Sequence, residues 1–325
     1  MVSGMDEFSF IDSIKQTYYR QSSLIKGIGD DAAVFRAQDL DLVTAKDMFV
    51  ENVHFAKHTM QPFHIGYKAL AANLSDLAAM GAKPLFYLVG ISISDGWSAT
   101  DINEIFQGMK KLADTYKIDL IGGDTVSGNE LVISITVIGH TNKVRYRSLA
   151  KEDDIIFVTG TLGDSQAGLH ILNNGGTYVD KDYYVNRHQM PIPRIEFSQR
   201  LHNISRLALN DISDGIASEA NEIAEASQLS IIFYEDKLPV HPSFHQFDTE
   251  LQHKWKLFGG EDFELLGTVA KNDWDEVQQV ARSLEVQITE IGYVSCDHPV
   301  GQVFLQRKNE KLQRLEKKGY NHLSR

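Results

Sequence analysis

Apolar residues recur along this chain with two periods, and the switches between them predict its elements. Residues 6–20 read as a short amphipathic helix, and "DAAVFR" and "LDLVTAKDMFV" as strands. Residues 64–80 read as a helix with Ile65, Ala69, Ala72 and Leu77 near one face. "KPLFYLVGISIS", opened by a proline, predicts a buried strand. Ile102, Ile105, Phe106, Met109, Leu112, Ala113 and Tyr116 form a helical stripe, and "IDLIGGD" and "ELVISITVIGH" follow as strands. The pattern turns polar at "NKVRYRSLAKEDD", which places a domain boundary there: residues 1–145 and 146–325.

The second half restarts with strand "IIFVTG" and helix "GDSQAGLHILNN". A loop with Pro191 and Pro193 leads to a helix near 194–205, and a second helix is expected over 215–228. Strand "LSIIFY", a loop rich in proline and histidine (239–245) and "FGGEDFELLGTVA" come next. A helix with Trp274, Val277, Val280, Ala281 and Leu284 on one side precedes the closing strands "VQITEIGYVS" and "GQVFLQRK". The histidines of the 239–245 loop lack zinc-ligand spacing and read as loop surface. The class is mixed α+β and α/β.

Composition narrows the chemistry. The 325 residues are 42% hydrophobic, enough for two buried cores. A net charge of −12, from 32 Lys and Arg against 44 Asp and Glu, argues against nucleic acid as a partner. The single cysteine, Cys296, excludes a disulfide framework and a cysteine zinc cluster, and suggests a reduced, cytoplasmic setting. No apolar run approaches the length of a membrane span, and the first residues lack the apolar core of a signal peptide. Membranes are therefore not expected partners.

What remains unexplained is acid at turns. Carboxylates follow strand-like runs beside glycine or a helix start in "GIGDDAAVF", "VTAKDMFVENVHF", "NLSDLAAMGAKP", "LIGGDTVSG", "LNDISDG" and "FGGEDFELL". Any one is an ordinary turn, and Asp214 has the position of a helix N-cap. Six in one chain, shared by both halves, point to convergence. Two carboxylates about 4 Å apart repel by roughly 4 kcal/mol at an effective dielectric near 20. A cluster of them needs protons or divalent cations, and Mg²⁺ takes a few carboxylates together with substrate phosphates. The neighbouring glycines let a phosphate approach the backbone. The P-loop pattern and the protein-kinase H-R-D loop are both absent. The pattern therefore suggests Mg²⁺-nucleotide chemistry without a lysine cradle.

These motifs, with "NVHF" and "GYNHL", resemble in order and spacing the thiamine-monophosphate kinase family, within the superfamily of aminoimidazole-ribonucleotide synthetase and selenophosphate synthetase. The resemblance spans about residues 5–322. It implies a two-domain synthetase-like fold: an N-terminal sheet domain forming a dimer barrel, and a C-terminal α+β domain. It also implies ATP as co-substrate, thiamine monophosphate as acceptor, several Mg²⁺ ions and a homodimer. On its motifs Asp30, Asp47, Asp76, Asp124, Asp211 and Asp214 match metal ligands. Tyr116, Gly123, Arg147 and Ser213 match ATP contacts. His54, Glu261 and Tyr320 match contacts to the thiamine compound. No general base is expected, because the acceptor phosphate is already anionic near neutral pH.

Each of these residues also has a plainer reading. His54 fits a satisfied strand histidine, Arg147 a solvated linker charge, Tyr116 a core ring, Tyr320 a tail residue packed on the surface, and Ser213 a local turn bond. Asp31, Asp262 and Glu264 read as structural neighbours, with Asp31 close to the metals. The chain departs from the family pattern in three places: Ala45-Lys46 precede Asp47 where Ser or Thr is common, Tyr320 replaces a usual Trp, and "RSLAKEDD" lacks Gly and Pro. Two other functions fit the same acids: a different ATP-dependent synthetase of the superfamily, and a non-catalytic nucleotide-binding regulator.

Overall fold

The computed structural model describes residues 24–26, 30–37, 40–308 and 310–319. The expected helix over 6–20 and Tyr320 lie outside them. Two sheets, built from separate stretches of chain, organise the molecule.

The first sheet has six strands in the order β1-β2-β3-β6-β4-β5. These are β1 (Leu24–Lys26), β2 (Ala33–Ala37), β3 (Leu40–Val50), β4 (Lys83–Ile93), β5 (Asp119–Ser127) and β6 (Val132–Thr141). All pairings are antiparallel except β4 with β5. Alternation along β6 buries Ile133, Ile135 and Val137, while Ser134, Thr136 and Ile138 stay partly exposed. The buried side packs against α1 (Pro62–Ala79), which in turn packs on α2 (Ala99–Tyr116).

The sequence of α1 starts with a proline at the first helical turn, where the missing N–H costs nothing. Its residues from Ile65 to Ala79 are buried on almost every face. Helices α1 and α2 touch backbone to backbone: a Cβ on Gly66 would fall 1.8 Å from the Ile105 carbonyl oxygen, and one on Gly108 1.9 Å from that of Phe63. Helix α2 begins with a capping box, in which Ser98 and Asp101 each satisfy the other's backbone N–H.

The second sheet has seven strands in the order β13-β12-β9-β11-β7-β10-β8. They are β7 (Ile155–Thr159), β8 (Leu207–Asp211), β9 (Ser230–Tyr234), β10 (Leu265–Val269), β11 (Ile288–Ser295), β12 (Val303–Gln306) and β13 (Gln313–Leu315). β8 and β10 are buried along their whole length, the polar Asn210 and Asp211 at the end of β8 included. Around them lie α3 (Asp164–Asn174), α4 (Lys181–Gln189), α5 (Ile195–Arg200), α6 (Ile216–Ser227), α7 (Thr249–Phe258) and α8 (Trp274–Ser283). The fold is mixed α/β and α+β, as expected from the alternating pattern.

Several local expectations need correction. The helix expected near 194–205 stops at Arg200 and finishes in a 3-10 turn, Leu201–Asn203. The buried Arg145 guanidinium caps that end by donating to the Leu201 and Ile204 carbonyls. Helices α4 and α7 went unforeseen because "KDYYVNRHQ" and "TELQHKWKLF" carry few apolar anchors; Tyr184, Trp255 and Leu257 are the buried ones. The 239–245 loop is not all surface: Phe244 is buried, and the His241 ring stacks on Tyr183 with centroids 4.0 Å apart. No described helix is long and apolar enough to cross a membrane.

A buried carboxylate cluster as the candidate active site

Four stretches distant in sequence deliver carboxylates to one place. Asp31 precedes β2, Asp47 lies on β3, Asp76 near the end of α1, and Asp211 is the last residue of β8. Asp31, Asp76 and Asp211 each offer an oxygen, and these oxygens lie within 4.8 Å of one another. Burial, together with the charges of its neighbours, raises the pKa of Asp31 and of Asp76 well above the usual carboxylate range. Asp211 is pushed up to about 6, mainly by burial, with the nearby Ser75 hydroxyl opposing the shift. Asp47 keeps exposed surface as a residue, yet protein packed around its carboxyl, with Asp31 beside it, pushes it to about 6. Its backbone N–H donates to Asn73 Oδ1 at 3.1 Å, tying β3 to α1.

Arg147 is the counterion, in place of a solvated linker charge. Its Nη2 donates to Asp31 Oδ1 at 2.9 Å and pairs with Glu222 Oε2 at 3.0 Å, and its Nε donates to Asn210 Oδ1 at 3.1 Å. Burial works against its charge, but Asp31 and Glu222 outweigh it and hold the guanidinium firmly protonated. Its backbone N–H donates to Asp30 Oδ1 at 3.0 Å, and Lys26 pairs with Asp30 at 2.8 Å. Asp30 is thus engaged by Arg147 and Lys26, while Asp31, expected as a structural neighbour that assists at the metals, stands in the triad.

The turn after β8 is held from below. Glu219 of α6, 3% exposed, accepts from Asn210 Nδ2 at 2.8 Å and from the Asp214 backbone N–H at 3.0 Å. Ser213 Oγ donates to Glu219 at 3.4 Å. Burial and three nearby carboxylates, Glu222 first, raise Glu219 well above its usual range. Asp214 does not cap α6. The N-cap is Gly215, with φ of 108° and no side-chain cap. Reading from sequence missed Glu219 and Asn210, whose only signal is their spacing from the Asp211–Asp214 turn.

The other expected residues are more dispersed. Gly123 and Asp124 lie on β5, the exposed edge strand; Asp124 Oδ1 accepts from the Thr125 N–H at 2.9 Å. A Cβ on Gly123 would meet the Val89 carbonyl at 2.0 Å, so β4 and β5 need glycine there. Tyr116 donates its hydroxyl to the Pro193 carbonyl at 2.8 Å and packs against the core. His54 Nδ1 accepts from the Val50 N–H at 3.1 Å. Glu261 sits in the "GGEDFE" loop with φ of 66°. Lys46 points away from the cluster: strand alternation puts it opposite Asp47, where its ammonium bonds Ser134 Oγ. Asp262 and Glu264 are structural; the first accepts from the N–H groups of Gly163 and Ser165, the second is clamped by Arg187 and Arg194. A cavity of about 220 Å³ lined by Lys83, Lys143, Arg145 and His202 is a separate feature. Lys143 and Arg145 serve carbonyls there, so those two cations are engaged within the protein.

The donor set fits a hard divalent cation. All the converging atoms are carboxylate oxygens, and Asp31 Oδ2 is buried with no hydrogen-bond donor among the described residues.

Residues 29–141 match the family model described as AIR synthase related protein, N-terminal domain, and residues 151–303 the corresponding C-terminal domain. The thiamine-monophosphate kinase of Bacillus subtilis (strain 168) is 46% identical over 98% of this chain and 99% of its own. The chain belongs to the thiamine-monophosphate kinase family. A solved member described as AaThiL complexed with AMPPCP and TMP superposes with a TM-score of 0.83 at 29% identity, covering 98% of this chain and 97% of that one. The thiamine-monophosphate kinase from Stenotrophomonas maltophilia K279a does so with 0.76 at 32% identity, over 90% and 93%. The buried cluster therefore lies in a fold shared with kinases of this family along nearly the whole chain.

Proposed function

We propose that this chain transfers the γ-phosphoryl group of ATP to the phosphate of thiamine monophosphate, giving thiamine diphosphate and ADP. The observation that carries the reading is the convergence of Asp31, Asp76 and Asp211 from separate segments into one buried triad. Full-length similarity to kinases of this name supports it. An acceptor phosphate oxygen attacks the γ-phosphorus in line while the bond to the β-bridging oxygen breaks. The acceptor phosphate is largely ionised at neutral pH, so the chain supplies no general base. Mg²⁺ bound at the carboxylates would cancel the repulsion between two polyanions.

The chain's own residues position and neutralise. Asp31, Asp76 and Asp211, with Asp47 beside them, would hold the metal, and Asp30, Asp124 and Asp214 are assigned as its further ligands; Arg147 anchors Asp31. Ser213, Gly123, Arg147 and Tyr116 are assigned to the nucleotide side, and His54, Glu261 and Tyr320 to the thiamine side. A homodimer completes the reading. β5 is exposed along all nine residues and presents Leu120, Ile121 and Val126 at 45%, 52% and 53% exposure. A second copy pairing on this edge would cover them and extend the sheet toward a barrel. The cytoplasm is the assigned compartment, in keeping with the free, exposed Cys296.

The test is direct. Purified chain incubated with ATP, Mg²⁺ and thiamine monophosphate forms thiamine diphosphate and ADP one for one, and EDTA abolishes it. Absence of thiamine diphosphate, with ATP consumed only when another acceptor is offered, would assign the chain to a different synthetase of the superfamily.

A further inference from the structure

Lys68 lies in the middle of α1 and is fully buried. A lysine so placed must be compensated, because an unpaired buried ammonium is very costly. Its Nζ donates to Glu261 Oε2 at 2.8 Å and lies 3.3 Å from His188 Nδ1. Burial and the Lys68 charge drive the His188 pKa well down, so the imidazole is neutral and adds no competing cation. Glu261 is therefore the carboxylate that Lys68 pairs with.

The pair also crosses between the two halves of the molecule. Lys68 belongs to the helix packed on the first sheet, and Glu261 to the loop entering β10 of the second. That loop is held from its other side as well. The Glu261 N–H donates to the Ser213 carbonyl at 2.7 Å, and the Phe263 N–H to that of Ile212 at 2.9 Å. Both Glu261 and Phe263 have positive φ, 66° and 49°, a conformation side-chain-bearing residues adopt only when the surroundings enforce it. The Glu261 side chain remains 23% exposed, and among the described residues Oε1 has no partner.

We propose that Lys68 is a positioning residue for the thiamine-monophosphate site. It fixes one oxygen of Glu261 so that the other faces the substrate at a set distance from the metal cluster. Lys68 and Asp76 stand on the same helix, eight residues and about 12 Å apart along its axis. One rigid element thus spans the contact to the thiamine portion and the carboxylates that receive its phosphate. Pairing with Lys68 also cancels the net charge of Glu261. The carboxylate then reads a hydrogen-bond donor on the ligand, such as an aminopyrimidine N–H, more than a positive charge.

The proposal rests on the assignment of Glu261 to the substrate, and the experiment separates the two. Steady-state kinetics are measured for Lys68→Met, Lys68→Gln, Glu261→Gln and the double variant Lys68→Met/Glu261→Gln, with thermal melting as the folding control. Lys68→Met raises KM for thiamine monophosphate about tenfold or more, with kcat and KM for ATP changed by less than about threefold. Lys68→Gln, which still donates a hydrogen bond, shows a smaller rise and keeps the proposal testable should Lys68→Met fold poorly. The double variant is no worse than Glu261→Gln alone. If Glu261→Gln leaves KM for thiamine monophosphate unchanged, the substrate assignment of Glu261 fails. If Glu261→Gln raises it while both Lys68 variants leave it unchanged, or lower only kcat, the positioning role of Lys68 is overturned.

Discussion

At the scale of single residues, the cluster stores electrostatic tension. Asp47 and Asp211 hold their protons to about pH 6 in the folded chain, against a value of 3.8 for a free aspartate side chain. The folded state binds more protons than the unfolded state between those values, so this contribution to stability is full below the lower one. It is lost as pH rises through the upper one. Replacing one carboxylate with its neutral isostere removes that loss. In metal-free buffer, Asp211→Asn should melt a few degrees above the parent at pH 7, and the two should converge near pH 4. The same variant should be nearly inactive with Mg²⁺, with kcat lower by roughly a hundredfold, the scale seen when one group stabilising transition-state charge is removed. A variant less stable than the parent at pH 7 and equally active would show that Asp211 is an ordinary buried aspartate. Arg147 illustrates what a linear reading cannot supply. Its neighbours in sequence are polar and charged, yet its partners are Asp31, Asn210 and Glu222, and only folding brings them to it.

At the scale of elements, legibility followed apolar periodicity. The stripe from Ile102 to Tyr116 predicts α2 to within a turn, and the apolar runs predict β4, β7 and β9. Periodicity predicts helix α1 but by itself says nothing about Lys68 within it. The signal was the helix itself, apolar on nearly every face, which leaves no wet side for a charge. The acids of the turns were visible as residues, whereas the choice of Asp31 for the triad was set by the turn geometry before β2 and by Arg147. Helix α7 was missed although Asp248 caps it, accepting from the Glu250 N–H at 2.8 Å. The strand with the most to reveal is β5. An edge strand exposed along its full length, with apolar side chains and no helix packed over it among the described residues, invites pairing with another chain. Ile121→Asp should convert the dimer expected for the parent into a monomer in sedimentation equilibrium. A parent that sediments as a monomer at every concentration would remove β5 from the account.

At the scale of the whole molecule, the two halves have separate sheets but a shared site. The first contributes Asp31, Asp47 and Asp76, and the second Asp211 and the turn to Asp214. The triad closes only when Asp211 of the second half meets Asp31 and Asp76 of the first, so its members are far apart in the sequence. Lys68 to Glu261 and Arg147 to Asp31 are among the contacts that join the halves. The account stands on these carboxylates being a metal centre. Anomalous diffraction from crystals grown with Mn²⁺, a nonhydrolysable ATP analogue and thiamine monophosphate measures this directly. It should show cation peaks at bonding distance from oxygens of Asp31, Asp76 and Asp211, between the two phosphate groups. Clear density for both ligands, with no cation peak at any of those three carboxylates, would contradict it.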